Sequence, residues 1–204
     1  KKLVTEANVE AVMGAYNRTN DEPCCASQLL LVDLLRGKWG FEGHVVSDCG
    51  ALSDLHVNHK VTRDAAESAA LALGKGCDLG CDCVYDDLGK AIARGLITEA
   101  DIDRSLARTL RTRFKLGMFD PPEQVPFAST PLNVIDCAAH RALAYEAAAK
   151  SIVLLKNTNN ILPIGADVRR IAVIGPTATN LDVLHGNYCG LNDSMRTLLE
   201  GIVS

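Results

Sequence analysis

Short apolar runs alternate with amphipathic segments along the first half of the chain. Ala11-Val12-Met13-Gly14-Ala15-Tyr16 is an apolar run that predicts a buried strand. A turn-rich stretch, Asn17 to Pro23, follows. Leu29, Leu30, Val32 and Leu35 then predict an amphipathic helix near Ser27 to Arg36. The pattern repeats with a strand at Gly43 to Ser47, a long polar loop from Asp48 to Thr62, and an alanine-rich helix of about Arg63 to Leu73. On that helix Ala66, Ala69, Ala70 and Leu73 share a face small enough to pack closely on a sheet. A third repeat has a very short strand, Cys77-Asp78-Leu79, and a helix near Tyr85 to Arg94 ended by Gly95.

A further helix is signalled by its ends. Thr98 with Asp101 three residues on is a variant of the capping box. Ile102, Leu106 and Leu110 recur every four residues and are expected to face the core. Gly117 is the expected stop, and Pro121-Pro122 blocks continuation. Alternating strand and helix predicts parallel βαβ units. Three units cannot close a barrel, so they are expected to form part of a (β/α)₈ barrel or an open sheet.

Pro121 to Pro131 reads as a linker or surface crossing, followed by a helix of about Cys137 to Lys150. Ser151 to Lys156 and Arg170 to Pro176 are expected strands, the second ending in a glycine loop. They predict the opening of a second α/β domain. The expected division is 1–120, 121–147 and 148–204. The start at Lys1 has no signal-peptide pattern, and Leu198 to Ser204 reads as an interrupted helix. The chain is therefore expected to be a piece of a longer protein.

Composition fits this picture. Apolar residues make up 48% and charged residues 23% of 204, ordinary for a globular chain with a core. No apolar run is long enough to span a bilayer, so no membrane partner is expected. The net charge of −4 argues against nucleic acid as a partner. Arg104, Arg108, Arg111 and Arg113 are read as the solvated face of a helix. Eight cysteines are present: Cys24, Cys25, Cys49, Cys77, Cys81, Cys83, Cys137 and Cys189. Cys77, Cys81 and Cys83 lack paired C-x-x-C spacing and a nearby histidine, which disfavours zinc. Buried thiols, or a disulfide near Asp48, are expected instead.

The candidate chemistry centres on Asp48, where an apolar strand ends in a carboxylate. Barrels place catalytic groups at such strand tips, although acids there also cap helices and hold loops. Tyr16 ends the preceding strand, so its hydroxyl is either a satisfied core group or a partner for the Asp48 carboxylate. Asp78 is the competing strand-tip acid and is read as structural within a packed turn. His56 and His59, in the loop after Asp48, are read as structural or solvent-exposed, and Glu67 and Glu99 as surface groups. Gly175-Pro176 lacks the G-x-G-x-x-G pattern, so no nucleotide cofactor is expected. Ser47 lacks the flanking glycines of a nucleophile elbow.

Three stretches carry a family likeness: Val12 to Asn20, Leu35 to Gly43 and Val45 to Ala51. With Ala148 to Asn157, Leu162-Pro163 and Ile171 to Pro176, they resemble family 3 glycoside hydrolases in the family's own order. The resemblance implies an α/β fold: the C-terminal part of a TIM-like (β/α)₈ barrel followed by the start of an α/β sandwich domain. Residues 1–120 would be the last three βα units of that barrel. It implies a retaining, exo-acting β-glucosidase or β-xylosidase that needs no cofactor or metal and acts on an oligosaccharide or an aryl or alkyl β-glycoside. Asp48 matches the nucleophile, Tyr16 a tyrosine near it, and Met13 a position lining the sugar site. Cys49 stands where many members have tryptophan and others cysteine. Arg18 belongs to the matched stretch and is carried as a substrate-binding candidate. The acid/base and the early barrel strands are expected outside this chain, leaving a non-catalytic assembly or binding fragment as the alternative. Oligomerisation, or companion segments completing the barrel, is expected from the open sheet edges.

Overall fold

The computed structural model describes residues 1–185, 190 and 194–203. Cys189 and Ser204, both used in the sequence reading, lie outside the described residues. The chain divides into two units, Lys1–Leu132 and Asn133–Ser204.

The first unit opens with one helical turn, α1 (Lys2–Thr5), and the strand β1 (Ala11–Gly14). A tight hairpin follows, β2 (Arg18–Thr19) against β3 (Glu22–Pro23). Its turn residues Asn20 and Asp21 take φ of 50° and 65°, the left-handed pair that matches the twist of a two-residue hairpin. The helix Gln28–Lys38 starts where the Ser27 side chain accepts the Leu30 N–H at 3.0 Å. It is wound wide: its last bond runs from Trp39 N–H back five residues to the Leu34 carbonyl. That winding moves the inward face off the 3.6-residue period, so Leu31 and Leu35 are buried while the expected Leu29 is exposed.

The strand β4 (His44–Ser47) pairs in parallel with β1, with Val12 opposite Val45 and Met13 opposite Val46. Leu79 adds one parallel bridge on the other side of Val46. The three predicted strand segments therefore lie side by side in parallel, with β4 in the middle. A short helix, α2 (Asp54–Val57), precedes α3 (Ala65–Gly74), where the Asp64 carboxylate caps the Glu67 N–H at 3.0 Å. The small residues Ala66, Ala69 and Ala72 let α3 pack closely, and Val45, Leu52, Leu55 and Cys77 are buried in the apolar core. Each leucine buried there contributes roughly 1.5–3 kcal/mol. The third predicted helix is split into a tight 3₁₀ turn, Cys83–Asp87, and α4 (Leu88–Ala93), with Gly95 at φ 68° ending it.

The helix α5 (Glu99–Lys115) carries the expected capping box of Thr98 and Asp101, and Gly117 follows at φ 68°. Its inward face meets the expectation at Ile102, which packs against a buried cluster, and departs from it at Leu106. Leu106 is 48% exposed, whereas Ser105 is buried and Arg108 and Thr112 point toward the strands. The reason is Asp78, whose side chain is wholly buried. It accepts Arg36 at 2.6 Å, Arg108 at 2.8 Å and the Val45 N–H at 2.9 Å. A buried charge is tolerated only when paired and hydrogen-bonded, and that need turns Arg108 inward, out of the expected solvated arginine face. Burial lowers the Arg36 guanidinium pKa from its ordinary value, and the neighbouring Asp78 opposes that shift. Arg36 also donates to the carbonyls of Phe41, Gly43 and Gly76, stitching the entry of β4 to the third segment. Glu67 is no free surface group either; it bridges Arg63 and Arg94.

The second unit contains α6 (Ala138–Ser151) and the short α7 (Leu198–Val203). Thr197 and Glu200 cap α7 reciprocally, Thr197 N–H to Oε2 at 2.7 Å and Glu200 N–H to Oγ1 at 3.2 Å. The strands expected at 151–156 and 170–176 are absent among the described residues. Ser151 belongs to α6, and the runs after it form no regular element, with Leu155 and Ile174 each 91% exposed. A strand is defined by its ladder partner, and neither run meets one here. No described helix is long and apolar enough to cross a membrane.

Candidate active site

Alternation along β4 sorts its side chains onto two faces. Val45 and Ser47 are 0% and 2% exposed, against the helices. Val46 and the next residue in phase, Asp48, fall on the opposite, open face, where Met13 of β1 is 61% exposed. Asp48 is the first residue past the strand, and its N–H donates to the Gly14 carbonyl at 2.9 Å, extending the ladder by one bond. The chain then turns sharply: Ala51 N–H donates to the Asp48 carbonyl at 3.1 Å, with Gly50 at φ 88°. This turn lets the Asp48 Oδ1 accept the Cys49 N–H at 2.8 Å.

Tyr16 reaches the same place from β1. The parallel register that sets Gly14 opposite Ser47 continues to Tyr16 beside Cys49. Its hydroxyl donates to the carbonyl of Cys49, the residue that follows Asp48. The reason is geometric: a phenol two residues past the end of β1 reaches the backbone of the Asp48 turn.

Arg18 donates from Nε to His59 Nδ1 at 3.2 Å and also to the His59 carbonyl. With Nδ1 accepting, the ring proton sits on Nε2, which donates to the Tyr16 carbonyl at 2.8 Å. Arg18 and His59 thus pin the loop after Asp48 to the loop after β1. His56 is turned the other way, with Nδ1 3.0 Å from the hydroxyl of buried Ser68. Ser47 is likewise occupied, accepting the Cys81 N–H at 2.9 Å.

The cysteines divide by environment. Cys49 and Cys81 form a disulfide with a Cα–Cα distance of 4.4 Å, joining the tips of two adjacent segments. Cys24, Cys25 and Cys77 are buried thiols, and Cys83 is exposed. Contact with Cys25 and burial raise the Cys77 thiol pKa far above its ordinary value, while the same contact lowers that of Cys25. Cys77, Cys81 and Cys83 therefore do not converge, and no group of three metal-ligating side chains is found among the described residues. Cys81 as the partner of Cys49, and His59 as the partner of Arg18, were not legible from spacing. The one signal was the cysteine beside Asp48.

A parallel α/β layer with a carboxylate at the C-terminal tip of its middle strand is the arrangement by which α/β barrels present functional groups. The chain matches the glycosyl hydrolase family 3 N terminal domain over residues 1–112 and the C-terminal domain of that family over 152–204. It belongs to glycosyl hydrolase family 3. It is 42% identical to a xylan 1,4-beta-xylosidase of Xylanibacter ruminicola, over 99% of this chain and 24% of that protein. A probable exo-1,4-beta-xylosidase of Aspergillus clavatus is 44% identical over 97% of this chain and 26% of its own length. Among solved structures, a family 3 exo-beta-xylosidase bound to a xylobiose aziridine probe superposes with TM-score 0.87 at 33% identity, covering 97% of this chain and 26% of that one. A beta-glucosidase from Listeria innocua in complex with glucose gives 0.74 at 31% identity, over 89% and 25%. The chain thus spans about a quarter of the length of the relatives it matches.

Proposed function

We propose that the protein containing this chain is a retaining, exo-acting β-glycosidase that removes terminal β-D-xylosyl or β-D-glucosyl residues, with Asp48 as its nucleophile. The observation that carries the reading is the placement of the Asp48 carboxylate on the open face at the β4 tip, oriented by the Cys49 N–H at 2.8 Å. The relatives named as xylosidases, and the xylobiose-derived probe bound by one structural neighbour, support a xyloside as the first substrate to test.

With Oδ1 held by the Cys49 N–H, Oδ2 is the oxygen that attacks the anomeric carbon. The bond to the leaving oxygen breaks as a second carboxylic acid protonates it, giving a covalent glycosyl ester on Asp48. That second group, now a base, then takes a proton from water, which attacks the anomeric carbon and frees Asp48. The two carboxyl groups of such a site stand roughly 5–5.5 Å apart. The second is proposed to come from outside these residues. Met13, Tyr16, Cys49 and Arg18 form the wall proposed to meet the sugar. Residues 1–120 are proposed as the last three βα units of the barrel, 121–147 as linker and helix, and 148–204 as the start of the sandwich domain. Companion segments are proposed to cover the exposed β1 face around Met13.

Treating the full-length protein with an activated 2-fluoro-β-xyloside and mapping the trapped sugar tests the assignment. The label is expected on the peptide containing Asp48; a label on any other peptide overturns it. Assaying the 204 residues alone with aryl β-xyloside separates the enzyme from the alternative, a non-catalytic assembly or binding piece.

A further inference from the structure

Every backbone and side-chain group of Cys49 is engaged. Its N–H holds Asp48 Oδ1 at 2.8 Å, its carbonyl accepts the Tyr16 hydroxyl, and its sulfur is bonded to Cys81. The far end of the cross-link is anchored as well. Cys81 N–H donates to the buried Ser47 hydroxyl at 2.9 Å, and Asp82 accepts the Ser53 N–H at 3.1 Å. Ser53 in turn donates to the Gly50 carbonyl at 2.7 Å. The turn carrying Asp48 leaves β4 through Gly50, a residue with wide conformational freedom. The disulfide closes this turn onto the adjacent strand tip, one residue from the carboxylate.

Resting on the nucleophile reading above, we propose that the Cys49–Cys81 disulfide is a positioning element for glycosyl transfer. It fixes the Cys49 backbone so that its N–H aims the Asp48 carboxylate at the anomeric carbon. A cross-link serving stability alone constrains the unfolded chain wherever it closes a loop. This one is fastened to the peptide unit that orients the carboxylate.

The test uses the full-length protein in three forms: wild type, Cys81→Ser, and wild type reduced by dithiothreitol after the exposed Cys83 thiol has been blocked with iodoacetamide. Reduction yields two thiols at Cys49 and Cys81 and one cyclic disulfide of the reagent. Two rates are measured per folded molecule: kcat on an aryl β-xyloside, and trapping by the 2-fluoro-xyloside. Loss of the cross-link is expected to lower both by about 10- to 100-fold, the scale of a small misplacement of a reacting group, with KM little changed. Reoxidation is expected to restore them. Unchanged kcat and trapping rate in the folded fraction, whatever the loss of thermal stability, overturns the positioning role. If Cys81→Ser does not fold, the reduced wild type carries the same readouts, because its fold is made before the bond is cut. Activity lost only in proportion to folded protein counts against the proposal. A label away from the Asp48 peptide overturns the nucleophile reading, whereas a label on Asp48 formed at an unchanged rate overturns only this inference.

Discussion

The hydroxyl of Tyr16 donates to the carbonyl of Cys49 across 33 residues of chain, so the end of one strand holds the turn that carries Asp48 in the next. Removing that hydroxyl leaves the ring and its packing in place but frees one restraint on the turn. Tyr16→Phe in the full-length protein is expected to lower kcat by about tenfold while KM changes little. Steady-state kinetics on an aryl β-xyloside check this. A kcat equal to wild type would mean the hydroxyl does not help place the carboxylate.

Asp78 carries two guanidinium groups in the interior of the first unit, at 2.6 and 2.8 Å. Asp78→Asn keeps the shape and removes the charge, stranding Arg36 and Arg108. Breaking a buried pair in this way costs about 3–5 kcal/mol. Urea denaturation of the full-length protein is expected to show a loss of that order in the transition of this unit. A loss below about 1 kcal/mol, the scale of a surface pair, would show that the arginines find other partners.

Gly14 ends β1 against the buried sulfur of Cys25. A Cβ at this position would lie 2.6 Å from Cys25 Sγ, closer than side-chain atoms approach. Gly14→Ala is therefore expected to destabilise the protein by about 1–3 kcal/mol through overpacking. Adding Cys25→Ala removes the colliding atom and is expected to recover part of that loss. A double-mutant cycle on thermal unfolding measures the coupling, and purely additive effects would refute the clash.

Glu10 reaches across the first unit to Lys115 at 2.8 Å and Thr112 at 2.9 Å. The hydrogen bond from Lys115 is the largest influence and lowers the Glu10 pKa below its ordinary 4.5. A depressed folded-state value means the unfolded chain binds the proton first. The stabilisation is present above pH 4.5 and is lost as pH falls through the lower folded value. The stability gap between wild type and Glu10→Gln is thus expected to shrink as pH drops below 4.5. Unfolding midpoints measured across the acid range check this, and a constant gap would refute it.

Local signals were legible where the physics is local. The Thr98–Asp101 capping box and the Gly117 stop of α5 depend on neighbours a few residues away, and both form as expected. The apolar runs at Ala11 to Tyr16 and Gly43 to Ser47 predicted strands because a buried segment leaves a pattern that no partner need supply, and the strands that form, Ala11–Gly14 and His44–Ser47, pair in parallel. The strip around Asp48 was also legible, since a carboxylate at the end of a buried run is a one-dimensional feature.

Tertiary structure decided what depends on distant partners. The inward face of α5 turned on a charge thirty residues away: Asp78 required Arg108, and Leu106 was left exposed. The hydroxyl of Tyr16 went to the Cys49 backbone because the parallel register, not the spacing, sets which atoms meet. Ser151 to Lys156 has strand composition but meets no ladder partner among the described residues, and composition cannot provide one. The choice of Cys81 as the partner of Cys49 likewise required knowing which strand tips are adjacent. The sequence by itself determined the two strands that pair as β1 and β4, the α5 capping box and the place of the acid at a strand tip. Only the packed chain decided which groups orient that acid, because those contacts join residues that neighbour each other in space and not along the chain.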